Sequence, residues 1–162
     1  MHPMKILMVC LGNICRSPLA EGILKNKIER EGLNWTVDSA GTNGLHDGEA
    51  PHKLSQKIAG INGISICDQR SRRFKADDFI KYDKIYAMAG DVIDEMKWIA
   101  GKKYDASKVD LLMNLSSPGR NQDVPDPWYG GEAGYHEVYR LIDEACEKLI
   151  TYQTTGTRKI TT

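Results

Sequence analysis

The sequence contains no apolar run approaching the roughly 18 residues that a membrane span needs. Its N-terminus lacks the basic-then-apolar layout of a secretory leader. There is no excess of charge either: 22 Lys and Arg offset 22 Asp and Glu among 162 residues. That balance supplies no basic field for nucleic acid or an anionic membrane, so neither is an expected partner. Cysteine is scarce, with four residues at positions 10, 15, 67 and 146. No pair has C-x-x-C spacing and no nearby histidine completes a set, so no metal is expected. A disulfide framework belongs to short, cysteine-dense secreted chains; thiols this sparse fit a reduced, cytoplasmic protein. Internal repeats and low-complexity tracts are missing too. At 41% hydrophobic residues the chain can bury a proper core, and one domain over residues 1–162, ordered over about 4–152, is the simplest organisation.

What is present is an alternation of strand and helix patterns. Apolar runs at 5–9, 35–40, 84–88 and 109–113 read as four strands. Helical spacing covers about 18–32 (Leu19, Ile23, Leu24, Ile28), 51–59, 92–99 and 134–152 (Val138, Leu141, Ile142, Ala145, Leu149). Ser17 then Pro18 reads as a helix start, a capping hydroxyl followed by proline in the first helical position. The alternation predicts an α/β domain with a parallel sheet and ligands at the carboxyl ends of its strands. Residues 114–127, rich in Ser, Pro, Gly, Asn and Asp, read as a long loop of the kind that carries function. The polar residues 151–162 read as a frayed tail.

Residues 5–18, Lys-Ile-Leu-Met-Val-Cys-Leu-Gly-Asn-Ile-Cys-Arg-Ser-Pro, concentrate the chemistry. Cys10 and Arg16 bracket five residues where a strand hands over to a helix. Gly12 permits tight curvature and close approach of a ligand to the backbone. The N–H groups of Leu11, Gly12, Asn13, Ile14, Cys15 and Arg16 can point inward as an anion nest, and the helix adds its positive end. Arg16 offers a planar fork of donors that matches phosphate oxygens. Such a field favours the Cys10 thiolate and makes it a nucleophile; Ser17 can donate to it, and Asn13 can brace the loop. The plainer alternative is a buried, inert cysteine at a strand end. Further on, Asp126 stands between two prolines in Val-Pro-Asp-Pro-Trp-Tyr-Gly. A carboxylic acid held there can protonate a leaving oxygen, with Trp128 and Tyr129 as an aromatic wall beside it. Taken alone, the same segment is an ordinary Asp-Pro turn.

Together, Val-Cys-Leu-Gly-Asn-Ile-Cys-Arg-Ser-Pro at 9–18, Val-Asp-Ser-Ala-Gly-Thr at 37–42 and Asp-Pro-Trp-Tyr-Gly at 126–130 resemble the low-molecular-weight protein tyrosine phosphatases over about residues 4–152. The resemblance implies a small parallel four-stranded sheet flanked by helices on both faces, with a phosphate loop between strand 1 and helix 1. It implies that Cys10 attacks phosphorus, that Arg16 binds the phosphoryl oxygens, and that Asp126 acts first as acid and then as base. Asn13, Ser17 and Ser39 match supporting positions; Leu45, Trp128 and Tyr129 match the cleft. The implied partners are phosphotyrosine proteins or peptides and phosphate-like oxyanions, with no cofactor. Ile14 stands where relatives acting on phosphoarginine carry threonine. Cys15 is either a packing residue or, as the resemblance favours, a redox guard that traps oxidised Cys10 as a disulfide.

Some features depart from that pattern. Gln69 replaces a usual histidine and Ala89 a frequent acidic residue, and Trp128 takes the first of two tyrosine positions. Arg70, Arg72 and Arg73 form either a solvated face or an attractant for acidic substrates. His46 and His136 look isolated, and Cys67 and Cys146 look inert. Two rivals stay open: an arsenate reductase on the same fold, for which residues 82–94 lack the shuttle cysteines, and a non-catalytic phosphate-binding module, which would have no use for Asp126.

Overall fold

The computed structural model describes residues 3–129 and 131–155, with the backbone alone for Tyr129. Four strands, β1 (Met4–Cys10), β2 (Trp35–Gly41), β3 (Lys84–Ala87) and β4 (Val109–Leu111), form one sheet in the order β2-β1-β3-β4. Every pairing is parallel. Five helices accompany them: α1 (Arg16–Glu31), α2 (Lys53–Ile61), α3 (Asp78–Lys81), α4 (Gly90–Ala100) and α5 (Gly131–Thr155).

The central strand shows why the sheet is covered on both sides. Ile6, Met8 and Cys10 pack with Leu19, Ile23 and Leu24 of α1 and Val138, Ile142 and Leu149 of α5. Leu7 and Val9 pack the other way, with Phe79 of α3 and Val92 and Met96 of α4. Alternate side chains leave a strand on opposite faces, so a run without a polar residue fits only a strand buried twice. From β1 the chain moves to one neighbour and later to the other, which makes the end of β1 a topological switch point. Cys10 is the last residue of that strand.

Several expected boundaries move. Helix α1 starts at Arg16, so Ser17 is already inside the first turn; Cys15 holds the cap position without a side-chain hydrogen bond. Strand β4 stops at Leu111, and residues 112–115 wind into a 3₁₀ turn. Helix α3 had no signal of its own, being only one turn long. Helix α5 begins three residues earlier than its apolar spacing suggests and continues to Thr155, so residues 151–155 are helical, not frayed. Residues 156–162 lie outside the described residues. No helix among the described residues is long and apolar enough to cross a membrane.

Candidate active site

After Cys10 the chain turns tightly through residues 11–15, and the scaffold takes up the carbonyls of this loop. Thr42 N–H donates to the Cys10 carbonyl at 3.0 Å, Asn43 N–H to Leu11 at 2.9 Å and His52 N–H to Ile14 at 2.8 Å. The Ser71 hydroxyl donates to the Gly12 carbonyl and the Ser55 hydroxyl to that of Cys15, each at 3.2 Å. The peptide bonds are trans, so each outward carbonyl aims the next N–H the opposite way. The amides of Leu11, Gly12, Asn13, Cys15 and Arg16 therefore converge on the concave side, at the positive end of α1.

The curvature comes from Asn13, not Gly12: Asn13 has φ 55°, a left-handed conformation that asparagine tolerates better than most residues. Gly12 leaves room instead: a Cβ there would come within 3.1 Å of the His46 ring, which would have to give by a few tenths of an ångström. Gly41 is the position that requires glycine for space, since a Cβ would lie 2.9 Å from the Leu11 carbonyl oxygen, which is backbone.

The Asn13 side chain sets the direction of a hydrogen-bond chain beneath the loop. Its Oδ1 accepts from Arg72 N–H at 3.0 Å, so its Nδ2 donates, to Ser17 Oγ at 2.7 Å and Ser39 Oγ at 2.9 Å. Each hydroxyl, already accepting, is left to send its own proton elsewhere. That of Ser17 faces Cys10 Sγ at 2.9 Å, and that of Ser39 goes to Glu21 Oε1 at 2.7 Å. Ser17 is thus a donor to the sulfur. Burial pushes the Glu21 carboxyl above the usual carboxylate range, and the Ser39 bond opposes that only in part.

Arg16 is buried, and its Nη1 donates to the Val124 carbonyl at 2.9 Å. Val124 N–H in turn donates to the Met88 carbonyl at 2.7 Å, just past β3. Asp123 Oδ1 accepts from Gly90 N–H at 2.9 Å, at the start of α4. Asp123 thereby caps a helix that Ala89 cannot cap, and the loop carrying Asp126 is fastened just before the acid. Asp126 Oδ1 accepts from Trp128 N–H at 3.0 Å, a turn stiffened by the flanking Pro125 and Pro127.

Cys10, Arg16 and Asp126 line one cleft of about 290 Å³, together with Leu11, Gly12, Ile14, Cys15, Leu45 and Trp128. Leu45 stands exposed at its lip. The side chains of Asn13, Ser17 and Ser39 lie buried beneath the loop, so Asn13 and Ser17 would meet an anion through their backbone alone. The Tyr129 side chain lies outside the described residues. Gln69 donates to the Pro18 carbonyl at 3.0 Å and its Oε1 is buried without a hydrogen-bond partner among the described residues.

A model of the low molecular weight phosphotyrosine protein phosphatases matches residues 5–159. The chain belongs to this family. Among curated relatives, the phosphatase YfkJ of Bacillus subtilis is 38% identical over 147 residues, covering 90% of this chain and 92% of that protein. The crystal structure of YfkJ superposes with a TM-score of 0.87 at 35% identity, covering 98% of this chain and 99% of the other. A protein tyrosine phosphatase from Entamoeba histolytica gives 0.85 at 37% identity, covering 94% and 98%. An arginine phosphatase from Drosophila gives 0.84 at 32%, covering 93% and 98%.

Three aromatic residues of the site carried no sequence signal. His46, expected as an isolated histidine, lines the cleft with its Nδ1 2.7 Å from Glu49 Oε2. Its ring lies 6.0 Å from that of Trp128, which also meets His52 edge-on at 5.3 Å. His52 stacks on Tyr135 at 5.3 Å, and the Tyr135 hydroxyl is 3.4 Å from Cys15 Sγ. These contacts join segments far apart in sequence, and lone histidines give no pattern to read.

Proposed function

We propose that the phosphatase activity of this family runs in this chain through a phospho-cysteine intermediate, with phosphotyrosine in proteins and small aryl phosphates as substrates. Cys10 Sγ attacks phosphorus while the loop amides and Arg16 hold the phosphoryl oxygens. Asp126 gives its proton to the departing phenol oxygen. It then takes a proton from the water that attacks the phosphorus of phospho-cysteine, releasing phosphate and restoring the thiolate. Phosphoryl transfer needs mostly positioning and charge stabilisation, and the inward amides with one guanidinium provide both. The observation that carries this reading is the meeting of Cys10, Arg16 and Asp126 in one cleft lined by the loop residues Leu11, Gly12, Ile14 and Cys15. The low cysteine content, four in 162 residues, supports a reducing, cytoplasmic setting.

Turnover of para-nitrophenyl phosphate and of phosphotyrosine, phosphoserine and phosphoarginine peptides tests the proposal. Cys10→Ser should abolish hydrolysis. Asp126→Ala should slow substrates with basic leaving groups by about 10²–10⁴-fold and activated ones far less. Equal slowing across leaving groups removes Asp126 from the acid role. Preference for phosphoarginine overturns the reading of Ile14, and thioredoxin-coupled arsenate reduction replaces the activity altogether.

A further inference from the structure

Next to the cleft runs a second groove of about 680 Å³, lined by Thr42, Arg73, Asp94, Glu95, Trp98 and Ile99. Thr42 lines this groove and the next residue, Asn43, lines the cleft. Of the three clustered arginines, two are occupied. Arg72 grips Asp78 with two hydrogen bonds at 3.1 Å, and Arg70 donates to the carbonyls of Cys67 and Gln69. The Arg73 guanidinium has neither ion pair nor hydrogen bond among the described residues. Its backbone is set firmly, bridging to Gly41 at the end of β2. Its guanidinium lies against Gly44, where any Cβ would collide with it, one residue before Leu45 at the lip of the cleft.

The far side of the groove has the opposite charge. Asp94 and Glu95 on α4 form no ion pair among the described residues, and Trp98 beside them is 87% exposed. An indole flanked by two carboxylates suits a lysine or arginine, through cation–π attraction as well as charge. Thr42 in the groove is buried, and its hydroxyl has no hydrogen-bond partner among the described residues. A large exposed aromatic beside unpaired charges of both signs is a surface shaped for a partner.

Resting on the phosphatase reading, we infer that this groove binds the stretch of a substrate protein that flanks its phosphotyrosine and reads its charge order. An acidic residue close to the phosphotyrosine pairs with Arg73, and a basic residue further along lies on Trp98 between Asp94 and Glu95. Complementary charges of this kind act chiefly on specificity and register.

The test uses phosphotyrosine peptides of identical composition, with Glu near and Lys far from the phosphotyrosine or the two exchanged, on either side of it. Net charge is the same in each pair, so long-range attraction cancels. Wild-type protein should prefer the Glu-near order in kcat/KM by about two- to fivefold, the range of exposed ion pairs. Arg73→Glu should erase or invert that preference, and Trp98→Ala should weaken it. Binding of the same peptides to Cys10→Ser protein, read by fluorescence anisotropy, reports the groove without turnover and should show the same order. Peptides hydrolysed or bound without regard to order overturn the inference, as does a preference that survives Arg73→Glu. Ordered binding with no hydrolysis of any aryl phosphate by wild type would leave the groove standing and sink the phosphatase chemistry instead.

Discussion

Cys10 and Cys15 line the same cleft, yet their surroundings differ. Cys10 Sγ receives the Ser17 hydroxyl in a field of inward amides. Burial pushes the Cys15 thiol up to about 11, and the hydrogen bond with Tyr135 offsets that only in part. At neutral pH Cys15 is therefore a thiol, and in the proposed chemistry Cys10 is the sulfur that reacts. Peroxide would take Cys10 to a sulfenic acid; attack by Cys15 sulfur would then form the disulfide and release water. Because the attacking sulfur must shed its proton, the closing step should speed up about tenfold per pH unit below about 11. Recovery of activity with thiol after a peroxide pulse measures it. Cys15→Ser should recover poorly, and recovery equal to wild type would show that Cys15 only packs the loop.

The elements that sequence periodicity captures are those with a strongly patterned environment. Strand β1 was legible because it is buried on both faces, and α1 and α5 because each turns one apolar stripe to the sheet. Helix α3 and the 3₁₀ turns were not, since one turn contains too few residues to show a period. The phosphate loop was legible as a motif, but its curvature was assigned to Gly12 when a left-handed Asn13 supplies it. Ser17 was read both as a cap, because its place before Pro18 matches one, and as a donor to Cys10; the structure keeps only the second, with its hydroxyl 2.9 Å from the Cys10 sulfur. Contacts between distant segments, such as His52 with Trp128 or Asp123 with Gly90, leave no local trace. That last contact gives a prediction for the loop as an element. Asp123→Ala removes a helix cap, with an expected loss of about 1 kcal/mol, and also frees the segment that holds Arg16 and presents Asp126. Its kcat on aryl phosphates should fall further than stability alone explains, and Asp123→Asn, which keeps an acceptor, should restore both. Urea melts and steady-state kinetics decide it; a stability loss with unchanged kcat would detach the fastening from catalysis.

At the scale of the whole molecule, the loop depends on how α1 and α5 are held together, because α1 begins at Arg16 and α5 brings Tyr135 to Cys15. Their apolar contact is completed by a buried cation. Lys27 Nζ lies 2.8 Å from both Asp143 and Glu147, and Glu147 also takes Arg30 at 2.9 Å. Burial alone would pull the Lys27 ammonium down, but the two carboxylates outweigh it and hold the group above its usual range. The hydrogen bond from Lys27 leads in holding the Glu147 carboxyl below its range. The signs follow from linkage. A raised lysine contributes stability that is complete below its unfolded value of about 10.4 and fades as pH climbs through the folded one. A lowered glutamate contributes stability that is complete above about 4.3 and fades as pH drops through its folded value. Stability from this clamp should therefore form a plateau through neutral pH with a fall at each end. Lys27→Met keeps the stem and removes the charge, leaving two carboxylates to repel. It should cost about 1.5–3 kcal/mol on the plateau, the range for hydrogen bonds to charged groups, and should flatten the alkaline fall. Urea melts of both proteins across pH measure this, and curves that stay parallel from acid to alkali would show that the clamp contributes nothing to the pH dependence of the fold.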